Sequence, residues 1–464
     1  MKFISNSKKY FSEINLEINQ DGRDWEFDFR TPFRFKKKGL QKKPFDFKIL
    51  IDDEEQKNQG IPCFGQDALW LPLDDGTGIK IIRAEDNQQK ICQNLEYIQD
   101  LYSDIFPEIE WFSEAEINGV SCVIVKMEII EGAKDTYKPV SFLSSEDNKL
   151  AEEMMPASLD TITYCVRQFI DNDLSPEDSW YKNGGFTTEN IINGKIVDFH
   201  AFEHKPHRFS MPVSADATIA RCNEIYDNAL RRYTEWSISR GEPLPKWKGK
   251  AYQGMKFDNG FELPGYSSDN RFYDSYIKSL FMPLDKLSGG KVLDLGSNQG
   301  FFSFQCALAG AEDVTGVELT EEDVLLANEI RQEILGLDNV KFVNGDLVKY
   351  LEEDQDWYEL IIMSSVLHQT HPDLYNCDDF LASLASKCRR FFFETPVGHK
   401  HYDFTLKQIT EKLQQHFNTV RLVYFYDAYS TGFRAVYVCH PLDPGYNDPG
   451  EYEKALREGR VGKG

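Results

Sequence analysis

The sequence predicts an α/β protein of two modules: a carboxy-terminal doubly wound parallel sheet closed by an antiparallel hairpin, and an amino-terminal α+β domain. Three observations predict this. Short apolar runs alternate with helix-period segments from Lys291 to Phe393. Two further strand-like runs, Arg421–Phe425 and Arg434–Val438, follow and are joined by a short turn containing Gly432. The first half lacks such alternation and mixes isolated strand runs with helical stretches. The chain has 464 residues, too long for one ordinary core.

In order, Gly78–Ile82 and Val120–Val125 read as strands, with helical periodicity over Asn87–Leu101 between them. Leu159–Ile170 reads as a helix. Asn190–Ile192 and Lys195–Asp198 read as a hairpin turning on Asn193-Gly194, a pair that tolerates positive φ at both positions. Pro243, Pro245, Gly249 and Pro264 mark a connecting stretch from Ser239 to Ser288. Strands are then expected at Lys291–Gly296, Asp313–Leu319, Val340–Val343, Leu360–Met363 and Arg390–Phe393. Helices are expected at Phe301–Ala309, Glu321–Leu335 and near Asp379–Lys387. The expected division is residues 1–238, a linker and aromatic lead-in at 239–288, a domain at 289–441 and a loose tail at 442–464.

Composition narrows the function classes. The 52 Lys and Arg against 76 Asp and Glu leave a net charge of −24, so a phosphate-tracking nucleic-acid surface is disfavoured. Lys36–Lys38 with Lys42 and Lys43 is the one basic cluster. No stretch approaches the ~18 apolar residues of a membrane span, and the start lacks the apolar run of a signal peptide. Nine cysteines, never spaced Cys-x-x-Cys, suit a reducing compartment. The expectation is a cytoplasmic protein with no membrane span. Oligomeric state is not assigned.

The chemistry gathers at Asp294-Leu-Gly296-Ser297-Asn298-Gln-Gly300, between a strand and a helix. Glycines there let a turn approach a ligand at the carboxyl edge of the sheet. A dinucleotide loop would place glycine at the middle position, where Asn298 stands, and would not begin with an acid. This pattern suits a ligand with a cationic, amino-acid-like end. Glu318, ending the next strand, can grip both hydroxyls of a ribose. Asp346, after the third strand, can accept from an adenine amino group. A cationic amino-acid end, a ribose and an adenine without phosphates describe S-adenosylmethionine.

On these residues, 290–440 resembles the class I S-adenosylmethionine-dependent methyltransferases, with their Rossmann-like sheet. The resemblance implies cofactor binding by Asp294, Gly296, Ser297, Asn298, Gly300, Glu318, Asp346 and Ser364. The segment Ser364–His368 matches the one lining the family's substrate mouth, and His368 and Glu394 are the catalytic candidates. His371 is a lesser one. No metal is assigned, although His399 with His401 and His200, His204 and His207 cluster in sequence. Tyr252–Lys256 and Phe261–Tyr266 form an aromatic lead-in such as often covers cofactor or acceptor in this family.

The first half resembles protein-kinase-like and sugar-kinase-like folds. Lys80 on a strand and Glu96 on the following helix match the phosphate-orienting ion pair, and Asn190 and Asp198 the two metal-binding positions. Gly185 stands where the catalytic aspartate would be, and no Gly-rich loop precedes Lys80, Gly60 and Gly65 being the candidates for one. The resemblance thus implies ATP and Mg²⁺ binding without effective phosphoryl transfer. Bacterial fusions that cap surface polysaccharides pair the same two folds in the opposite order. The expectation is a methyltransferase acting on oxygen of a small-molecule, sugar or glycan acceptor, with a kinase-like accessory domain. The alternatives are a tRNA-modifying methyltransferase, on Ser365–Leu367 and Glu394–Pro396, a bifunctional kinase–methyltransferase, and a cofactor- or nucleotide-sensing binding protein.

Overall fold

In the computed structural model the chain divides into two compact units, Met1–Asp135 with Thr188–His204, and Thr136–Thr187 with Lys205–Gly464. The structure describes residues 2–5, 12–18, 47–57, 63–64, 68–84, 87–100, 105–117, 120–132, 136–154, 158–176, 191–197, 202–204, 207–211, 213–241, 251–266, 268–371, 373–398, 403–427 and 433–441.

The second unit is built on a sheet of seven strands: β1 (Lys291–Leu295), β2 (Asp313–Glu318), β3 (Val340–Asn344), β4 (Leu360–Ser364), β5 (Phe391–Val397), β6 (Thr419–Asp427) and β7 (Phe433–His440). Their order is β3-β2-β1-β4-β5-β7-β6, with β1 to β5 parallel and β7 antiparallel to both neighbours. The doubly wound sheet and its closing hairpin are as the sequence predicts. Strands β1 and β4 are mostly apolar, with Lys291 and Asp294 the exceptions in β1 and Ser364 in β4, because helices cover both faces of a parallel sheet. The strand order reverses between β1 and β4, which opens a crevice at their carboxyl ends.

Among the described residues, the helices of this unit are α1 (Ser145–Met154), α2 (Leu159–Asp171), α3 (Ala215–Arg240), α4 (Ser268–Phe281), α5 (Phe301–Leu308), α6 (Glu321–Glu329), α7 (Leu347–Glu353), α8 (Leu367–Thr370), α9 (Asp378–Lys387) and α10 (Leu406–Gln414). The helix expected over Glu321–Leu335 changes character inside that span. Helix α6 stops at Glu329, and Ile330–Leu335 widens into a π-turn ended by Gly336 at φ +60°. Two unforeseen helices begin on local caps. Asp346 caps α7, and Thr405 with Gln408 forms a capping box on α10.

The compact units divide the chain at other places than the expected boundary at residue 238. Helices α1, α2 and α3 belong with the carboxy-terminal sheet, because their polar and aromatic side chains find partners there. The Thr163 and Tyr424 hydroxyls lie 2.6 Å apart, and Asp147 accepts from Lys407 N at 2.9 Å. Arg232 on α3 makes two bonds to Glu329, at 3.0 and 2.8 Å. The described part of 239–288 is folded. Met255–Lys256 pairs with Glu262–Leu263, and α4 buries Tyr276, Ile277 and Phe281.

The first unit carries an antiparallel sheet in the order Glu54–Gln56, Phe47–Ile51, Glu13–Ile18, Lys2–Ser5, Ile109–Ile117, Val120–Glu128, Thr77–Arg83, Ala68–Pro72, Cys63–Phe64. The helix Gln88–Asp100 follows the Thr77–Arg83 strand. The hairpin forms as expected, with Asn193 at φ +48° and Gly194 at φ +76°.

Candidate functional site

The loop leaving β1 is shaped by three residues of positive φ: Gly296 (+76°), Asn298 (+49°) and Gly300 (+86°). Gly296 and Ser297 both donate backbone N–H to Val317 O, at 2.8 and 3.0 Å, and Gly300 donates to Ser297 O at 2.9 Å. A Cβ on Gly296 would collide with the Val366 side chain, and one on Gly300 with the Phe342 ring. The glycines therefore serve both conformation and close approach. Asn298 takes the left-handed conformation that asparagine tolerates best after glycine, which is why its substitution for the usual middle glycine is accommodated.

Two oxygens of this loop, Ser297 Oγ and Asn298 Oδ1, are buried without a hydrogen-bond partner. Leaving buried acceptors unpaired costs about 1–3 kcal/mol each, so a ligand that donates to them is favoured. A cationic amino group does so. Asp294, 1% exposed, accepts from Ser303 Oγ at 2.7 Å behind the loop. Burial pushes its carboxyl up to about 7 against the Ser303 bond, and the charge of Glu318 adds to the rise.

Glu318 ends β2 with both oxygens facing backbone donors: Asn298 N at 3.0 Å and Thr320 N at 2.9 Å. Each carboxylate oxygen has a second lone pair, so two ribose hydroxyls can still be accepted. Asp346 is exposed and caps α7 through one oxygen, which takes Val348 N at 2.9 Å and Lys349 N at 3.0 Å.

At the ends of β4 and β5 lies a buried ionic cluster. Glu394 is 0% and Lys278 2% exposed, and Lys278 Nζ meets Glu394 Oε2 at 2.6 Å. Ser364 Oγ donates to Glu394 Oε2 at 2.7 Å, Ser365 Oγ donates to Oε1, and Tyr426 OH donates to Oε1 at 3.3 Å. Arg434 Nε stands 3.8 Å away. Burial opposes the Glu394 charge, but Lys278 and Arg434 outweigh it and hold the carboxyl below the usual range. Ser365 adopts φ +59°, an uncommon conformation that its N–H bond to Glu394 O (2.9 Å) and its hydroxyl bond together hold. Glu394 therefore stands as an ion-paired support for the β4 turn. His368, half-buried on α8, follows that turn directly, whereas His371 stacks on Phe380 at 4.7 Å. Burial lowers the His371 pKa, with the Asp346 charge opposing.

Sequence reasoning missed Lys278, Tyr233, Asp323 and Gln299. Asp323 is held by Tyr233 OH and by Gln299 Nε2 at 3.0 Å. Burial pushes its carboxyl up to about 6 despite those two bonds, and Glu318 and Glu322 add to the rise. The one local signal was the i,i+4 pair Asp274 and Lys278, which by itself reads as a solvated helix face.

In the first unit, Lys80 is buried and donates to Val197 O at 3.0 Å, and Glu96 lies on the exposed side of its helix. The fold thus brings the Lys80 strand to the chain just before Asp198. Asn190, Asp198, Gly185, Gly60 and Gly65, the basic cluster from Lys36, and His200, His399 and His401 lie outside the described residues.

Residues 286–437 match the family described as a methyltransferase domain. Ribosomal protein L11 methyltransferases of Streptococcus pneumoniae (strain 70585) and Streptococcus agalactiae serotype Ia are each 29% identical over 134 residues, which is 28% of this chain and 42% of the relative. The chain therefore spans under half the length of these curated relatives. Among solved structures, the bifunctional kinase-methyltransferase WbdD is 21% identical, over 37% of each chain, at a TM-score of 0.28. Magnesium protoporphyrin IX methyltransferase from Synechocystis PCC 6803 with bound S-adenosylmethionine is 23% identical, over 37% of this chain and 82% of that one, at 0.32.

Proposed function

We propose that this chain, whose residues 286–437 form a methyltransferase domain, transfers a methyl group from S-adenosylmethionine to oxygen of a small-molecule, sugar or glycan acceptor. One observation carries the cofactor assignment. The β1 loop holds two buried oxygens that await donors, and Glu318 is hydrogen-bonded to that same loop. Bound there, the cofactor supplies an electrophilic methyl group on a cationic sulfur.

The chain's own residues align and desolvate the reaction. Ser297 and Asn298 accept from the ammonium group, with the buried Asp294 carboxyl behind them. Glu318 takes the ribose hydroxyls and Asp346 the adenine amino group. The Ser364–Val366 turn, fixed from below by Glu394 and Lys278, frames the acceptor side. His368, as a neutral imidazole, takes the acceptor hydroxyl's proton as the oxygen attacks. The acidic net charge of −24 favours a small or glycan acceptor over a polyanionic one.

Calorimetry with S-adenosylhomocysteine tests the cofactor reading. Removing the bidentate acid in Glu318→Ala is expected to weaken binding at least about tenfold, since charge-assisted bonds contribute about 1.5–3 kcal/mol. Unchanged affinity would sink the assignment. With a labelled methyl donor and a panel of sugar and glycan acceptors, His368→Ala is expected to lose about 10²-fold or more in turnover at unaltered S-adenosylhomocysteine affinity. Full turnover in that variant removes the base role, and labelling of tRNA in place of the sugars replaces the acceptor class.

A further inference from the structure

Gln299 is the loop residue for which the cofactor reading has no use, yet it is 2% exposed and both ends of its amide are engaged. Its Nε2 donates to Asp323 Oδ1 at 3.0 Å, on α6. Its Oε1 accepts the backbone N–H of Tyr252 at 3.1 Å, in the aromatic lead-in. That lead-in is a folded flap. Ala251 bridges Gly265, Met255–Lys256 pairs with Glu262–Leu263, and the Tyr252 and Tyr266 rings stack at 6.4 Å.

The far side of the flap reaches the other half of the site. Arg271 lies over the Tyr252 ring at 4.6 Å and pairs with Asp274 at 3.5 Å. Asp274 is 3.3 Å from Lys278, and Lys278 grips Glu394, which holds Ser364 and Ser365. Val366, the next residue, packs on Gly296. A continuous chain of contacts, mostly polar, thus leaves the cofactor loop at Gln299, passes through the flap and returns to the same loop from the acceptor side.

We infer that Gln299 is a positioning residue that couples occupancy of the cofactor loop to ordering of the flap at residues 251–266. The inference rests on the cofactor reading and adds to it a mechanical link between the two substrates' sides. A side-chain amide meets both demands, since its oxygen accepts and its nitrogen donates. Rigid coupling through such a chain requires that binding at one end alter the other.

The test is hydrogen exchange of the full-length protein with and without S-adenosylhomocysteine, on wild type and on Gln299→Met, which keeps the side chain's length and removes both bonds. In wild type the ligand should slow exchange over 251–266 as well as over 291–300. In Gln299→Met the melting temperature should fall by several degrees, because two buried polar groups lose a partner, and affinity about tenfold, while at saturating ligand the response should persist at 291–300 and vanish at 251–266. Equal affinity and equal flap protection in the variant overturn the inference. Should Gln299→Met not fold, wild type alone decides, because a flap that ignores the ligand while 291–300 responds overturns it equally. A wild type that binds no S-adenosylhomocysteine defeats the cofactor reading itself, and this inference with it.

Discussion

Glu394→Ala is expected to destabilise the carboxy-terminal unit by about 3–5 kcal/mol, the loss found when one partner of a buried ion pair is removed. Lys278 would be left charged at 2% exposure with Asp274, 3.3 Å away, as its remaining anionic partner, and the hydroxyls of Ser364 and Ser365 would lose their acceptor. Urea unfolding at neutral pH measures this, and a midpoint equal to wild type would mean that Lys278 finds water. The pH dependence has a definite sign. The folded-state pKa of Glu394 is depressed, so its stabilisation is present above the ordinary carboxylate value and lost as pH falls through the lower folded one. Lys278 behaves oppositely. Burial opposes its charge, but Asp274 and Glu394 raise its pKa, so its contribution is complete at neutral pH and lost in strong alkali. Glu394→Gln, which can keep hydrogen bonds, should cost less than alanine and flatten the acid limb of the stability curve.

Gly300→Ala should cost about 2–5 kcal/mol. The residue's φ of +86° costs an alanine about 1–2 kcal/mol. The new methyl would stand 2.5 Å from Phe342 Cζ and 3.0 Å from Phe304 Cε2, and overpacking of this kind adds about 1–3 kcal/mol. Gly345 provides the control, because a Cβ there meets nothing within 4 Å. Gly345→Ala is expected within about 0.5 kcal/mol of wild type. Equal midpoints for the two variants would show that the β1 loop can relax around an added methyl group. S-adenosylhomocysteine affinity should fall with Gly300→Ala and hold with Gly345→Ala.

The carboxy-terminal architecture and the glycine loop after β1 are legible in the sequence. Both are written in local chemistry. The apolar runs at Lys291–Leu295 and Leu360–Ser364 are what a strand covered on both faces must carry, and Asn193-Gly194 is what a tight hairpin demands. Gly296, Gly300 and Glu318 lie within one strand–helix–strand unit, so their spacing fixes their meeting. Only the tertiary structure decided which unit owns α1, α2 and α3, because an amphipathic helix shows that it has a buried face without showing against what. The same holds for the site's supports. Lys278 on α4 and Glu394 on β5 are far apart in sequence, and each alone reads as an ordinary charged residue. A lysine and a glutamate become a buried pair only when the sheet and helix that carry them exclude water from both, and that exclusion is a property of the assembled core.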